Sequence, residues 1–401
     1  RDFMGLPDHS FLQGRQPAQI ALFYGGMSNS VLRMFSVAEQ YRGFGAVTIA
    51  GGSHVDALPQ EALQSGVDIV VHGEGEETIV ELLDVLISDN GVVLDRGKLA
   101  SVKGISFLDE TGAYVFTGKR KPIADLDELA DPDLTLIKFL EKRWSCVPIN
   151  RGRGCNWNCE FCVVNKRYGR YKCASVDTAL RQVVKYADLG YRQFFFTDDN
   201  FAQNPAEAVE LCRKIGDYRK KFNKKIELIV QVRSEVAEND ELLEAMRFAG
   251  VSMLAIGYES PINEELRAMR KGVTAEKLIS RSRKLSEYFY IHGMFIFGYP
   301  SRQESQGGFS MSAEERARHY KKFFRKSRID TIQVLNAVPL PGSELRERLQ
   351  REGRLLPLSM VNWDKYDGLF LCYDPRPDGL DPFDLQNMSS LLMKKRYLGG
   401  I

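Results

Sequence analysis

Cys155-Asn156-Trp157-Asn158-Cys159-Glu160-Phe161-Cys162 sets three thiols at C-x3-C-x2-C spacing, on a loop after the apolar run Cys146-Val147-Pro148-Ile149-Asn150. Thiolates this close together hold a soft metal centre. Their number decides which kind. A closed tetrahedral zinc site or an ordinary [4Fe–4S] cluster takes four ligands. Cys146 and Cys173 fall outside the motif, and no histidine lies between His72 and His292. A cubane on three thiolates keeps one iron open for a non-protein ligand, as catalytic metal sites do. A zinc knuckle completed by Cys173, or three unconnected structural cysteines, are the alternatives. Unconnected cysteines scatter, whereas ligands cluster at set spacings.

The 401 residues around that loop leave room for two or three domains with a sizeable core. Hydrophobic residues make up 44% and charged residues 27%, the balance of an ordinary globular protein. A formal net charge of +2 supplies no field for nucleic acid or acidic membranes. Basic runs at residues 219–225 and 321–328 alternate with Phe at helical spacing and read as solvated helix faces, so no nucleic-acid partner is expected. Seven cysteines, three of them clustered, do not read as a disulfide framework; a reducing, cytoplasmic setting fits them. No apolar run reaches about 18 residues, so no membrane span is expected. The first residue is Arg1 rather than Met, and residues upstream of it are expected.

Before the thiol loop, strands alternate with helices. After an arm over residues 1–18, Gln19-Ile20-Ala21-Leu22-Phe23-Tyr24 reads as a buried strand, and Val31, Met34, Phe35 and Ala38 recur at helical spacing. Residues 46–50 give a second strand, 61–63 belong to a short helix, and 67–72 give a third strand. Ile79, Leu82, Leu83, Val85 and Leu86 then face one side of a helix. Such alternation means a parallel sheet with its ligand site at the carboxyl ends of the strands. Two Gly-rich turns lie there, Gly51-Gly52-Ser53-His54 and Gly73-Glu74-Gly75-Glu76-Glu77-Thr78. Glycine at such ends permits positive φ and close approach of backbone to ligand, although composition alone marks these as turns. Residues 104–116 form two alternating runs about Glu110-Thr111-Gly112, a β-hairpin, and the acidic, Pro-punctuated stretch 122–134 reads as a linker.

From Cys146 the alternation resumes. Strands are expected at residues 193–196, 225–232, 251–257, 291–297 and 331–335, with amphipathic helices at 175–189, 206–222, 239–248, 263–287 and 312–326. These repeats predict a partial (β/α)6 barrel whose function sits at the carboxyl ends of its strands. Those ends carry Thr197-Asp198-Asp199-Asn200, Gln231-Val232-Arg233-Ser234-Glu235 and Ile256-Gly257-Tyr258-Glu259-Ser260. Carboxylate and amide acceptors suit an ammonium group, with an Asx turn capping the next helix as the alternative. An Arg at a barrel mouth needs an anionic partner. The fold class is α/β throughout. An incomplete Rossmann-like (flavodoxin-like) parallel sheet is expected over residues 1–99, a hairpin and linker over 100–145, the barrel over 146–340 and a short α-rich extension over 341–401.

With Phe161 just before its last thiol, the C-x3-C-x2-C run resembles the signature of the radical S-adenosylmethionine (SAM) superfamily. That resemblance implies that Cys155, Cys159 and Cys162 hold a [4Fe–4S] cluster whose open iron chelates SAM. Reductive cleavage of SAM would then give a 5′-deoxyadenosyl radical that abstracts hydrogen, with Phe161 lying against adenine. Asp198, Asp199 and Asn200 match the position where the superfamily contacts the SAM amino group. Arg233 matches one used towards the carboxylate or ribose, and Glu259 a ribose or amino-group contact. The run from Ala50 to Thr78 resembles the subgroup with an N-terminal cobalamin-binding domain, over about residues 19–90. It implies that Gly51, Gly52, His54, Gly73, Glu74 and Gly75 face cobalamin. Two departures stand out. Complete cobalamin domains have about five strands, as flavodoxin-like sheets do, and three are visible here, the first two being expected upstream of Arg1. The Asp-x-His-x-x-Gly loop that supplies a lower cobalt ligand in many cobalamin proteins is absent. Pro339-Leu340-Pro341-Gly342-Ser343-Glu344 and Trp363-Asp364-Lys365-Tyr366 resemble the subgroup's post-barrel pattern.

The expectation is a radical SAM enzyme, a cobalamin-dependent methyltransferase acting on an unactivated carbon or phosphorus centre. The alternative is a cobalamin-independent radical SAM enzyme with a vestigial B12-like domain, carrying out cyclisation, rearrangement or an unusual SAM-derived group transfer. A non-enzymatic iron–sulfur or zinc interaction module is the reading from another class. Expected partners are a small-molecule, lipid or peptide substrate and an electron donor such as flavodoxin or ferredoxin. A tRNA methylthiotransferase would by resemblance carry a second cluster on N-terminal cysteines, and no cysteine precedes Cys146.

Overall fold

A computed structural model describes residues 8–136, 146–302 and 309–398. The chain forms two compact units, one holding residues up to Ile123 with Pro339–Arg351 and Leu356–Asp367, the other holding Ala124–Val338, Glu352–Leu355 and the residues from Gly368 onward. No helix among the described residues is long and apolar enough to cross a membrane.

In the first unit β1 (Ile20–Tyr24), β2 (Val47–Gly51) and β3 (Ile69–Val71) are the three expected strands. They run parallel, with Ile20 opposite Val47 and Ile49 opposite Ile69. Ile69, Val70 and Val71 are all buried, which is why β3 reads as an unbroken apolar run rather than an alternating one. The helices Val31–Gly43 and Glu76–Leu86 follow β1 and β3, and Leu82 and Leu86 close the core over Ile49 and Ile69.

The hairpin does not behave as a connector. Its strands β4 (Ile105–Leu108) and β5 (Tyr114–Phe116) extend the first sheet to five strands in the order β1-β2-β3-β4-β5, with β4 antiparallel to β3 and Phe107 opposite Ile69. An isolated two-stranded hairpin is marginal in water, and Ile105 and Phe107 enter the same core as Leu82 and Leu86. The expected boundary at residues 99 and 100 is therefore corrected. The expected linker lies on the second unit instead, where Asp127 accepts from the Ser175 amide at 2.9 Å and Asp131 pairs with Arg181 at 3.1 Å. Its residues 137–145 lie outside the described residues, as do residues 1–7 of the expected arm. The extension over 341–401 is not one piece either, because its Trp363 segment belongs to the first unit.

The second unit holds a six-stranded parallel sheet built in chain order: β6 (Cys146–Ile149), β7 (Gln193–Phe196), β8 (Glu227–Val232), β9 (Val251–Glu259), β10 (Tyr290–Phe297) and β11 (Thr331–Asn336). This is the expected partial (β/α)6 barrel. Ser175, Asn239, Thr274 and Ser312 cap the helices that follow β6, β8, β9 and β10, each side chain accepting from a backbone amide in the first turn. Along the strands every second residue is buried beneath these helices. Phe295 and Phe297 belong to that buried face, packed with Tyr258, Tyr320 and Phe323 into an aromatic layer. The expected helix over 263–287 is two, Asn263–Ala268 and Ala275–Leu285, separated where Arg270 and Gly272 take φ of 58° and 73°. The interruption places Lys271 at the carboxyl end of β9.

Candidate active site

The thiol loop leaves β6 through a two-stranded ribbon in which Gly152–Arg153 pairs antiparallel with Lys172–Cys173. Gly154 has φ of 81° and packs so closely on the carbonyls of Gly169 and Arg170 that no side chain fits there. The Cys155 amide donates to Gly169 at 3.2 Å, the Asn165 side chain donates to the Cys155 carbonyl at 2.7 Å, and the Cys162 amide donates to Cys159 at 3.1 Å. The second turn of the loop is tied to a different part of the barrel. Glu160 is buried between two thiol positions, its amide donating to Met269 at 3.1 Å and its carboxylate accepting from Tyr299 at 2.6 Å and Arg302 at 2.8 Å.

Burial pushes the Cys155 thiol up, and it pushes Cys162 to about 11, with Cys159 and Asp199 adding to both. Such thiols ionise when a cation takes their charge. Among the described residues no three His, Cys, Asp or Glu side chains converge on a single ion. A cubane asks for something different, one thiolate on each of three irons, and three half-buried thiols within electrostatic reach of one another suit it. Cys173 is committed elsewhere. Its thiol donates to Glu207 at 3.2 Å beside Arg151, so the zinc-knuckle alternative lacks its fourth ligand.

At the carboxyl end of β7 two adjacent acids part ways. Asp198 is buried and accepts from the Arg151 amide at 3.0 Å and from the Gly152 amide, fixing the exit of β6. Burial raises its carboxyl to about 6 against the pull of those two amides. Unfolded, the same carboxyl ionises near 3.8, so the folded chain holds a proton that the unfolded chain releases, and stability falls as pH rises from about 4 to about 6. Asp198→Asn is expected to gain on the order of 2–3 kcal/mol over the parent between pH 4 and pH 7. Urea midpoints of the cluster-free chains at both pH values check this. Asp199 instead is exposed and, among the described residues, has no hydrogen-bond or ion-pair partner. Asn200 is buried, donating to Gln203 at 3.4 Å, and Gln203 accepts in turn from the Cys155 thiol at 3.7 Å.

Arg233, at the end of β8, is buried with its guanidinium 3.8 Å from the Trp157 ring centroid. One terminal nitrogen donates to the Lys271 carbonyl at 2.7 Å and to Glu235 at 3.1 Å, while Nε is buried with no hydrogen-bond partner among the described residues. Glu259 takes φ of 62° at a bulge in β9, which folds its carboxylate back over Gly257 to accept from Lys271 at 2.9 Å. Phe161 meets Tyr299 edge-on at 6.4 Å.

Residues 149–306 match the family described as the radical SAM superfamily. The matched stretch holds the thiol loop and the strands β7 to β10. Over 357 residues it is 28% identical to an uncharacterised methyltransferase of Pyrococcus horikoshii, covering 86% of this chain and 70% of that protein. It is 27% identical over 246 residues to the hopanoid C-2 methylase of Rhodopseudomonas palustris, covering 59% of this chain and 45% of that protein. The chain thus spans less than half the length of the hopanoid enzyme. The radical SAM methyltransferase TsrM from Kitasatospora setae, solved with cobalamin and a [4Fe–4S] cluster bound, has the same fold, with a TM-score of 0.71 at 17% identity over 91% of this chain and 77% of that one.

The barrel of the second unit carries the three thiols, Phe161, Asp199, Arg233 and Glu259. The candidates in the first unit fare differently. His54 is buried, with Nδ1 2.9 Å from Ser28, Nε2 3.5 Å from Glu61 and its ring edge-on to Trp363 at 4.6 Å. It anchors the segment after the barrel and is not placed to face a ligand. Gly52, at φ of 127°, packs against the backbone of Gly25 and Gly26, and the His54 and Val55 amides donate to the Gly25 carbonyl. Glu74 accepts from the Ile123 amide at 2.9 Å. These three expected cofactor contacts are corrected to internal roles. Gly51 continues β2 against Val71, and Gly75 caps the helix Glu76–Leu86. Gly73, at φ of 68°, has open space where a side chain would stand.

Sequence reasoning missed Glu160, Trp157, Gln203 and Lys271. The first two carried a signal, a charge and an indole inside a ligand motif. Lys271 carried none, because its place depends on the break between two helices.

Proposed function

We propose that this chain is a cobalamin-dependent radical SAM methyltransferase acting on an unactivated carbon or phosphorus centre. The reading rests on one observation above all: the three-thiol barrel and the parallel sheet with its open Gly73 turn occur in one chain, along a span largely shared with a methyltransferase-named relative. When bound, the cluster supplies the electron that cleaves SAM, and cobalamin supplies a methyl carrier. Cys155, Cys159 and Cys162 hold the cluster. Asp199, unpaired and beside the thiols, takes the SAM ammonium, while Asp198 holds the backbone beneath it. Arg233 and the Glu259–Lys271 pair orient the carboxylate and ribose, and Trp157 fixes the guanidinium by stacking.

Glu160 braces the loop from behind. Glu160→Ala leaves Tyr299 and Arg302 without its carboxylate, and iron retained after anaerobic reconstitution and desalting is expected to fall by about 10-fold or more. Cobalamin, if it docks at the carboxyl ends of β2 and β3, meets no unengaged imidazole among the described residues there. His54 is enclosed, and His72 has both ring nitrogens engaged, by Asp56 and by Ser106 at 2.6 Å each. The electron paramagnetic resonance spectrum of protein-bound cob(II)alamin is therefore expected to show no hyperfine splitting from a protein imidazole nitrogen, and such splitting would place a histidine on cobalt.

The deciding experiment supplies hydroxocobalamin to the reconstituted chain under anaerobic conditions, counts the cobalamin retained per chain, and measures 5′-deoxyadenosine formed on reduction. Near-stoichiometric retention with SAM cleavage supports the methyltransferase. Cleavage without retention overturns cobalamin dependence and leaves cyclisation, rearrangement or another SAM-derived transfer. Neither retention nor cleavage rejects the enzyme in favour of an interaction module.

A further inference from the structure

The sheet of the second unit has two faces of different character. One is sealed by helices. The other is the concave interior, and the strand register brings its residues into rungs, Ile229 beside Met253, then Gln231, Ala255, His292 and Thr331, then Gly257, Met294 and Gln333. Its central residues, Ile229, Gln231, Met253, Ala255, His292 and Met294, are half-buried, whereas their neighbours along each strand are buried. Charge stops at the rims. Glu227 opens β8 at one end, and Glu259, neutralised by Lys271, closes β9 at the other. Between them the strands offer thioethers, aliphatic groups, the Phe195 ring, two carboxamides, the Thr331 hydroxyl and one imidazole.

That imidazole is held in place. His292 Nδ1 lies 2.9 Å from Thr331 Oγ, and among the described residues nothing takes Nε2. Burial holds its pKa below the ordinary value, so the ring is neutral at neutral pH. A fixed, uncharged imidazole with one unengaged nitrogen, set into an apolar concavity, is the arrangement that orients a ligand through a single polar contact.

We infer that the barrel interior takes an uncharged, mainly apolar part of the substrate and that His292 Nε2 hydrogen-bonds to its one polar group. The inference rests on the proposed function, since it places the substrate in the barrel beneath the residues assigned to SAM. A charged group carried to the same depth would lose its hydration and meet no opposite charge.

Four probes of one shape test this by calorimetry on the reconstituted full chain at pH 7.5: p-cresol, toluene, p-toluate and 4-methylbenzylammonium. We expect p-cresol to bind at least about tenfold more tightly than either ion. His292→Ala should weaken p-cresol by about fivefold and leave toluene unchanged, while His292→Gln, whose side-chain amide reaches the place of Nε2, should restore most of the loss. Equal binding of an ion, no binding of any probe at millimolar concentration, or a parallel loss of toluene and p-cresol in His292→Ala would each overturn the inference. SAM cleavage by the parent chain keeps the two readings apart. Cleavage with failed charge discrimination removes the inference alone, and absent cleavage removes the function on which it rests.

Discussion

Replacing Cys159 by alanine is expected to abolish reductive SAM cleavage while leaving the far-ultraviolet circular dichroism and thermal transition of the cluster-free chain unchanged. Cys159 lies on an irregular loop, half-buried, outside every strand and helix. Its thiol therefore contributes little to the folding of the barrel. On the proposed reading it supplies one of three cluster ligands, and among the described residues Cys173 faces Glu207 while no histidine lies within the motif. Loss of a direct ligand should exceed the roughly 10–100-fold penalty of losing an outer support, so 5′-deoxyadenosine should fall below detection. Iron content and product formation, measured on the same preparation, check both halves. Undiminished cleavage in Cys159→Ala would remove the thiol loop from the chemistry altogether.

The second large effect concerns stability. Glu265 and Arg316 form an ion pair with side-chain exposures of 1% and 0%, between the helices Asn263–Ala268 and Ala313–Ser327. Ser260 donates to the same carboxylate, and Arg316 Nε donates to the Met311 carbonyl at 3.1 Å. Removing one partner leaves the other charge buried without compensation, and Arg316→Ala is expected to destabilise the second unit by about 3–5 kcal/mol. Replacing both by apolar residues of similar size, as in Glu265→Leu with Arg316→Met, is expected to recover most of that loss, because desolvating the pair offsets much of its attraction. Urea unfolding of the three chains tests the contrast. A double variant no better than Arg316→Ala would show that the pair contributes more than it costs to bury.

These expectations depend on features that the sequence exposes unevenly. Apolar runs at Phe194 to Phe196 and Val251 to Ile256, punctuated by Ser175, Asn239 and Ser312, declare strands and helix starts because the responsible interactions are local. Ile105 and Phe107 declare a half-buried strand just as clearly, but alternation does not say which sheet will bury it, so by sequence alone the hairpin reads as part of a connector. The helical period over 263–287 continues through Arg270 and Gly272, so nothing in it announces the break that delivers Lys271 to Glu259. The thiols are legible because spacing alone carries the chemistry. Asp198 and Asp199 are not separable, since one residue of phase along a strand end decides which is buried. His54 is the extreme case. Trp363, whose indole donates to Glu61 at 2.7 Å, stands 302 residues from that partner, and no local pattern foretells that the tail of the chain will enclose a turn near its start.

The sheet of the second unit is laid down in the order of synthesis, each strand pairing with the one made just before it. The barrel can therefore assemble stepwise from β6 as the polypeptide leaves the ribosome. The brace behind the thiols does not follow that order. Glu160 waits for Tyr299 and Arg302, 139 and 142 residues later, so the loop acquires its rear support only when nearly the whole barrel has emerged. A ribosome stalled anywhere before β10 would display three thiols whose rear brace has not yet been made.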